Sequence, residues 1–165
     1  MLVDSIRRQT TQIFENIEIL LNAFNEDEFS RTLGGFLIWK QFYHLVHSLD
    51  KNFVDPSVFH EPSFHIDNLD IIYFNSEISL SKSEILDYYS KVQQHNREYL
   101  DRLTDEMLLE TIDFRDMKLT KLELILAQLR HVFYHVGYLH CIKKIQSGVT
   151  PDYVGLYKAV EKIVI

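Results

Sequence analysis

The sequence predicts an all-α protein, an antiparallel four-helix bundle that forms a single domain over residues 1–165. Three observations favour this fold class. Apolar residues recur at helical spacing in four long segments, two of these segments begin with a helix-capping pattern, and no run alternates convincingly as a strand would. The chain has 165 residues, of which 46% are hydrophobic. This length allows one real core and leaves little room for a second domain.

The first two predicted helices are separated by a glycine pair. The first helix is predicted from Asp4, which has the side chain of a helix N-cap, to Phe24, and the polar stretch 25–28 follows it. Gly34-Gly35 then breaks the chain. The second helix is predicted over residues 36–53, where apolar residues return every three or four positions.

A long connection is predicted between the second and third helices. Residues 55–80 contain two prolines and two asparagines and show no sustained periodicity. Because a loop of this length in one domain is usually functional, we expect it to cover part of a site as a lid. The third helix is predicted to begin at the capping-box pattern Ser81-Lys82-Ser83-Glu84 and to run to about Leu103.

The fourth predicted helix carries the clearest end signals. It begins at a second capping box, Thr120-Lys121-Leu122-Glu123, and ends near Gly148 after the pair Lys143-Lys144. Lysines favour the last turn of a helix, and glycine favours the position after it. Residues 150–165 predict either a short extra helix or a small apolar plug, and the sequence leaves both open.

Composition and charge exclude several classes of function. Acidic residues outnumber basic ones by 24 to 17, and no basic run could follow a phosphate backbone, so we expect no nucleic-acid partner. No apolar run is long enough to span a bilayer and the N-terminus lacks a signal-peptide pattern, so we expect no membrane association and a cytoplasmic location. Cys141 is the only cysteine, which excludes an intramolecular disulfide.

The strongest functional signal is a pair of histidines in the fourth helix. His131 and His135 lie about 40° apart around the helix and one turn apart along it, so both imidazoles can reach a single ion. His140 lies about 180° from His131 and is a poor third ligand. The second helix offers His44 and His47. Two histidines from one helix and one from another would leave a position open for water or substrate, as in catalytic zinc sites.

Three stretches resemble the DinB/YfiT-like four-helix-bundle family: WKQFYHLVHSLDKNF in the second helix, DPSVFHEPSFH in the loop and LRHVFYHVGYLHCI in the fourth helix. The resemblance covers most of the chain. It implies a divalent metal ion, zinc or nickel, held by His44, His131 and His135. His65 is similar to pocket-lining residues of relatives with this sort of loop. The resemblance also implies a homodimer.

The choice between the two histidines of the second helix stays open at this stage. The helical neighbours of His44 are polar and include Lys40 and Lys51, whereas His47 lies on a more apolar face. Either His44 faces a polar cavity, or His47 is the ligand and His44 lies on the surface. The two lysines could recruit an acidic cosubstrate, but a solvated face is the favoured interpretation.

Two hypotheses of function follow. The first is an enzyme that activates a small thiol, as in S-transferases, or water, as in hydrolases, at a three-histidine metal site, with unidentified substrate and catalytic residues. The second is a non-catalytic metal-binding or stress-associated bundle, whose site a fourth ligand such as Asp50 or Glu61 would close. Cys141 is interpreted as a small core residue rather than a nucleophile.

Overall fold

The structure, a computed structural model, describes residues 2–155. Helices account for most of these residues, so the prediction of a mainly helical protein is confirmed. The four long helices are α1 (Leu2–Ala23), α3 (Ile38–Asn52), α4 (Lys82–Arg102) and α5 (Lys121–Ser147), and a short helix α2 (Glu26–Phe29) follows α1.

The four long helices share one apolar core. Both α1 and α3 pack against α4 and α5. Each aliphatic side chain buried there stabilises the fold by about 1.5–3 kcal/mol relative to leaving it in water. Among the described residues, no helix combines the length and apolarity needed to cross a bilayer. The fully buried core residues include Ile13, Ile17, Leu20, Phe42, Leu49, Ile85, Val132 and Leu139.

Two helix starts are set by the predicted capping boxes, and both predictions are confirmed. Ser81 Oγ accepts from the backbone N–H of Glu84 at 3.3 Å, and the Glu84 carboxylate accepts from the backbone N–H of Ser81 at 2.8 Å. Thr120 and Glu123 make the same pair of bonds at 3.1 and 2.7 Å. The far end of α5 also agrees with prediction, since Gly148 follows it with φ of 72°.

The predicted start of α1 at Asp4 is wrong, because the helix begins at Leu2. The carboxylate of Asp105 accepts from the backbone N–H groups of Leu2 and Val3 at 3.1 and 2.8 Å. It therefore satisfies two amides that have no partner within the helix. Asp4 lies in the first turn, where its carboxylate binds Arg7 at 2.9 Å. A cap from about a hundred residues away leaves no local pattern in the sequence.

Two short antiparallel hairpins contradict the prediction of no strands. β1 (Thr32–Leu33) pairs with β2 (Phe36–Leu37), and β3 (Thr111–Phe114) pairs with β4 (Met117–Thr120). The pair Gly34-Gly35 is the turn of the first hairpin, with φ of 62° and 93°. Positive φ at both turn positions suits a tight hairpin and favours glycine. Strands of two to four residues carry too little alternation to be recognised from a pattern.

Residues 53–81 join α3 to α4 and lie against α3. Within them the structure has one three-residue 3-10 turn, Pro56–Val58, and otherwise turns and irregular chain. Leu69 anchors the middle of the segment, since its side chain is fully buried in the core. Asp70, which follows Leu69, lies close to α3, where its backbone carbonyl is 2.6 Å from Nδ1 of His44.

The chain beyond α5 returns to α1. Residues 150–155 carry no helix or strand, but Val154 is buried. The amide side chain of Asn16 accepts from the Val154 N–H at 2.9 Å and donates to the Val154 C=O at 3.0 Å. The prediction of a short helix or an apolar plug falls mainly on residues 156–165, which lie outside the described residues.

Candidate metal centre

Three histidines from two helices meet between α3 and α5. His44 lies on α3, and His131 and His135 lie one turn apart on α5. The Nε2 atoms of His44 and His131 are 3.2 Å apart. The ring centroid of His135 lies 4.7 Å from that of each of the other two. One nitrogen of each imidazole lies within 4.8 Å of the others, so the three rings converge on one region of space.

Hydrogen bonds behind two of these rings fix their orientation. His44 Nδ1 donates to the backbone C=O of Asp70 at 2.6 Å. His135 Nδ1 lies 3.3 Å from Oε1 of Gln41, which can only accept. Both bonds place the proton on Nδ1 and leave the Nε2 electron pair available. Metal-ligating histidines usually have a partner of this kind on their second nitrogen.

Burial keeps the α5 imidazoles neutral. His135 is only 4% exposed, and its burial, with added effects of His44 and His131, lowers its pKa to about 3. Burial and the neighbouring His44 also lower the pKa of His131. Both rings are therefore uncharged at neutral pH, which is the form that binds a metal.

The donor set fits a divalent metal ion. Two nitrogens bound to a tetrahedral zinc at about 2.0–2.1 Å lie about 3.3–3.4 Å apart. The distance of 3.2 Å between Nε2 of His44 and Nε2 of His131 is close to this value. Imidazole nitrogen suits several first-row metals, zinc, nickel, copper and iron among them.

The cluster opens into a cavity of about 870 Å³. His44 and His131 lie in its wall, which is completed by the long loop and by the hairpin of β3 and β4. A space of this size can hold a small organic molecule. The charged residues around the cavity are Lys51, Asp70, Asp113, Arg115 and Arg130.

His47 belongs to a second cluster, on a neighbouring face of α3. Its Nε2 lies 2.6 Å from Oε2 of Glu61, whose other oxygen accepts from Lys51 at 2.8 Å. The ring of His65 stacks on that of His47, with centroids 4.9 Å apart and planes 9° from parallel. Tyr43 OH forms a 2.5 Å hydrogen bond with Nδ1 of His65. The two histidines of α3 thus lie in separate clusters.

Other residues weighed as ligands lie elsewhere. Asp50 accepts from Tyr88 OH at 2.7 Å and lines a different cavity between α3 and α4. Glu61 and His65 lie in the second cluster, as described. Gln41 and Asp70 were missed by the sequence analysis. The position of Gln41, one turn before His44, was a usable signal, but nothing in the loop sequence singled out Asp70.

Two interpretations of the sequence are wrong. Lys40 was assigned to a solvated face, but it is 1% exposed and its Nζ has no hydrogen-bond partner among the described residues. Its ammonium lies 5.2 Å from the ring centre of Phe74, in the loop, and burial lowers its pKa. Cys141 was assigned to the core, but its side chain is exposed. The part of the polar face of α3 that carries Lys40 is therefore an interior face that the loop covers.

Comparison with known proteins identifies the family. The sequence pattern of the DinB superfamily matches residues 9–139, a span that contains all three converging histidines. No curated protein and no solved structure gives a significant match. The matched span covers 131 of the 165 residues, from 9 to 139 inclusive. The chain belongs to the DinB superfamily.

Proposed function

We propose that His44, His131 and His135 hold one divalent metal ion, zinc or nickel, and that the protein is an enzyme acting on a small molecule. The reaction we propose is activation of a low-molecular-weight thiol, as in S-transferases, or of water, as in hydrolases. The observation that carries the proposal is the convergence of three imidazoles, two of which, His44 and His131, lie in the wall of a cavity of about 870 Å³. When bound, such an ion supplies Lewis acidity that lowers the pKa of a nearby thiol or water.

The surroundings of the three imidazoles support an open coordination position. Within residues 2–155, the metal-ligating side chains grouped there are the three histidines alone. The two carboxylates considered as a fourth ligand, Asp50 and Glu61, are bonded to Tyr88 and His47 instead. Catalytic zinc sites keep a fourth position for water or substrate, whereas structural sites are closed by protein ligands.

Residues of the chain would orient the imidazoles for metal binding before an ion is present. The Asp70 carbonyl and the Gln41 amide orient His44 and His135 before any ion binds. Burial keeps the pKa of His135 low, so no proton competes with a metal at neutral pH. These features favour tight binding because little rearrangement is needed.

The proposal also covers the fold, the location and the oligomeric state of the protein. We propose that the four long helices form an antiparallel four-helix bundle in a single domain over residues 1–165, and that the protein is a cytoplasmic homodimer. The packing of α1 and α3 on α4 and α5 supports the bundle. The resemblance to DinB/YfiT-like proteins suggests the dimer, which light scattering during size-exclusion chromatography would test.

The alternative is a non-catalytic binding or stress-associated protein. One observation favours it: a proton on Nε2 of His131 could be donated to Nε2 of His44 across the same 3.2 Å. The imidazoles would then satisfy one another as core residues, without a metal.

The first experiment is elemental analysis of protein purified without an affinity tag. About one equivalent of a transition metal per chain is expected. Absence of metal, even after incubation with zinc or nickel, would favour the alternative. The second is absorption spectroscopy of the cobalt-loaded protein with 2-mercaptoethanol. A change in the cobalt bands is expected from an open position, whereas an unchanged spectrum would indicate a closed structural site.

A further inference from the structure

We propose that His47, supported by Glu61, is the group that accepts the proton from the nucleophile that binds at the three-histidine centre. This inference rests on the proposed function, because it requires a thiol or water to be activated there. It assigns a catalytic role to a cluster whose side chains are not among the proposed metal ligands.

Hydrogen bonding defines which nitrogen of His47 can take a proton. Burial acts to raise the pKa of Glu61, but the bonds from His47 and Lys51 prevail and hold that pKa below its usual value. Glu61 is therefore ionised and can only accept hydrogen bonds. Its 2.6 Å contact with Nε2 of His47 places the imidazole proton on Nε2. The electron pair on Nδ1 is then free to act as a base.

His47 lies beside the proposed reaction centre. Its side chain lies in the wall of the same cavity as His44 and His131. Asp70 connects the two clusters: its backbone carbonyl accepts from His44 Nδ1, and its carboxylate lies 3.9 Å from Nδ1 of His47. A proton that arrived on Nδ1 would face this carboxylate, while Nε2 would keep its bond to Glu61. Carboxylates at both nitrogens would stabilise the imidazolium that forms.

Before a nucleophile binds, His47 is in the neutral form that can accept a proton. His47 is 1% exposed, and burial lowers its pKa against the opposing effect of the carboxylates, so the ring is neutral at pH 7. The groups that face it are Glu61, His65 and Asp70 from the loop and Tyr43 from α3, while Lys51, also on α3, binds the other oxygen of Glu61. The other charged residues around the cavity are Asp113, Arg115 and Arg130.

The geometry of this cluster favours proton transfer over a second metal. His47, Glu61 and His65 each offer a ligand atom within 4.8 Å of the others, but the rings of His47 and His65 are stacked within 9° of parallel, which directs their electron pairs along separate planes rather than toward a common point. The 2.6 Å between Nε2 of His47 and Oε2 of Glu61 is also shorter than the ~3.3 Å between two ligands of a tetrahedral zinc. A strong hydrogen bond accounts for that distance.

The proposed step is a simple proton transfer. As a thiol binds at the centre, its S–H bond breaks and the electron pair stays on sulfur. The proton forms an N–H bond with Nδ1 of His47, so the net charge within the cavity does not change. Water would lose its proton by the same route through an O–H bond.

The test counts protons rather than turnover. Zinc-loaded protein is titrated with 2-mercaptoethanol at pH 7 by calorimetry, in buffers that differ in ionisation enthalpy. Wild-type protein is expected to release fewer protons to the buffer than His47→Gln, which is expected to release about one per thiol bound. Glu61→Gln is expected to increase the release, and His60→Gln, at an exposed loop histidine, is the matched control that should not. Zinc content is measured for every variant.

Each outcome has a defined meaning. Equal proton release in wild type and His47→Gln, with thiol still bound, would overturn the assignment of His47 and leave the proposed function standing. A zinc-loaded wild type that binds no thiol would overturn the thiol-activating function and this inference with it. Two equivalents of zinc, one of them lost in His47→Gln, would make the second cluster a metal site. If His47→Gln does not fold, Glu61→Gln, which keeps the shape of the side chain, provides the same readout.

Discussion

His44 and His47 lie three residues apart on one helix, yet their surroundings give them different chemistry. His44 joins two other histidines, and no carboxylate side chain belongs to that group within residues 2–155. His47 is bonded to the carboxylate of Glu61 at 2.6 Å. An imidazole whose neighbours are imidazoles keeps its electron pair for an ion, whereas one bonded to a carboxylate is prepared to hold a second proton.

The two clusters also differ in how neighbouring groups act on the pKa values of their histidines. Burial and the neighbouring histidines act in the same direction and together lower the pKa of His135 to about 3. Burial also lowers the pKa of His47, but Glu61 and Asp70 act against it. Partner identity, more than burial alone, therefore separates the proposed metal ligand from the proposed proton acceptor.

The largest expected effect is on metal content. His44→Ala or His135→Ala should reduce the bound metal from about one equivalent to nearly none, because a site with only two nitrogen ligands binds the metal weakly. His47→Ala should retain the metal. Elemental analysis of the three variants, purified without a tag, provides the measurement. Loss of metal in His47→Ala equal to that in His44→Ala would remove the distinction between the clusters.

A smaller effect on affinity is expected from Gln41→Ala. The variant keeps all three ligands but removes the acceptor on Nδ1 of His135, so metal affinity should fall about 10–100-fold. Competition with a chromogenic chelator would measure it. Ser48→Ala is the matched control, since it removes a buried 2.9 Å bond from α3 to Gln128 of α5 and leaves the hydrogen bond of Gln41 to His135 in place. Equal affinities in the two variants would show that Gln41 does not orient His135.

A third prediction concerns the register of the helices that carry the ligands. Tyr138 OH on α5 donates to the Gly34 carbonyl at 2.6 Å, and a Cβ on Gly34 would lie 2.9 Å from both this hydroxyl and Ile142. Gly34→Ala should therefore destabilise the protein by about 1–3 kcal/mol and weaken metal binding. Gly35→Ala shares the positive φ but meets open space. Urea unfolding of both variants separates the steric cost at Gly34 from the cost of positive φ. An equal loss of unfolding free energy in the two variants would mean that the close approach does not contribute to the destabilisation.

The smallest expected effect is a difference in pH dependence. Without metal, native His135 stays neutral down to a pKa of about 3, whereas the unfolded chain protonates near 6.5. Between these values the unfolded state binds more protons, so the free energy of unfolding falls with falling pH, by up to about 1.4 kcal/mol per pH unit.

Denaturant unfolding of the metal-free protein from pH 7 to pH 5 would measure this slope. The slope should flatten more in His135→Gln than in His47→Gln, because Glu61 already favours the charged form of His47. The reverse order would contradict the comparison of the two clusters. Adding zinc to wild type should make the free energy of unfolding fall more steeply with falling pH, since protons then also displace the ion.

The sequence was sufficient for features that depend on residues close together in the chain. The boxes at Ser81 and Thr120 are visible because both partners lie within four residues. The same logic would have identified Asn25 and Glu28, which cap α2 by the same pattern and were overlooked. The proximity of His131 and His135 also follows from helical geometry alone, although their role as ligands stays a prediction.

The sequence was insufficient where a distant segment decides the environment. The polar neighbours of His44 suggested a solvent-exposed face, but the loop covers that face and buries Lys40 beneath Phe74. Asp70 provides the acceptor for His44 from 26 residues away. Such contacts leave no periodic signal, so the sequence alone leaves the choice between His44 and His47 open.

The bonds between Asn16 and Val154 have a consequence for how the protein folds during synthesis. They join residues 138 positions apart, and the two long helices on which α1 packs, α4 and α5, both come later in the chain. The N-terminal helix therefore leaves the ribosome long before its partners exist, with its apolar face exposed. Contacts this distant slow folding and lengthen the time available for aggregation or chaperone binding. Among the described residues, Val154 is a backbone partner of Asn16 that is not synthesised until almost all of them have been translated.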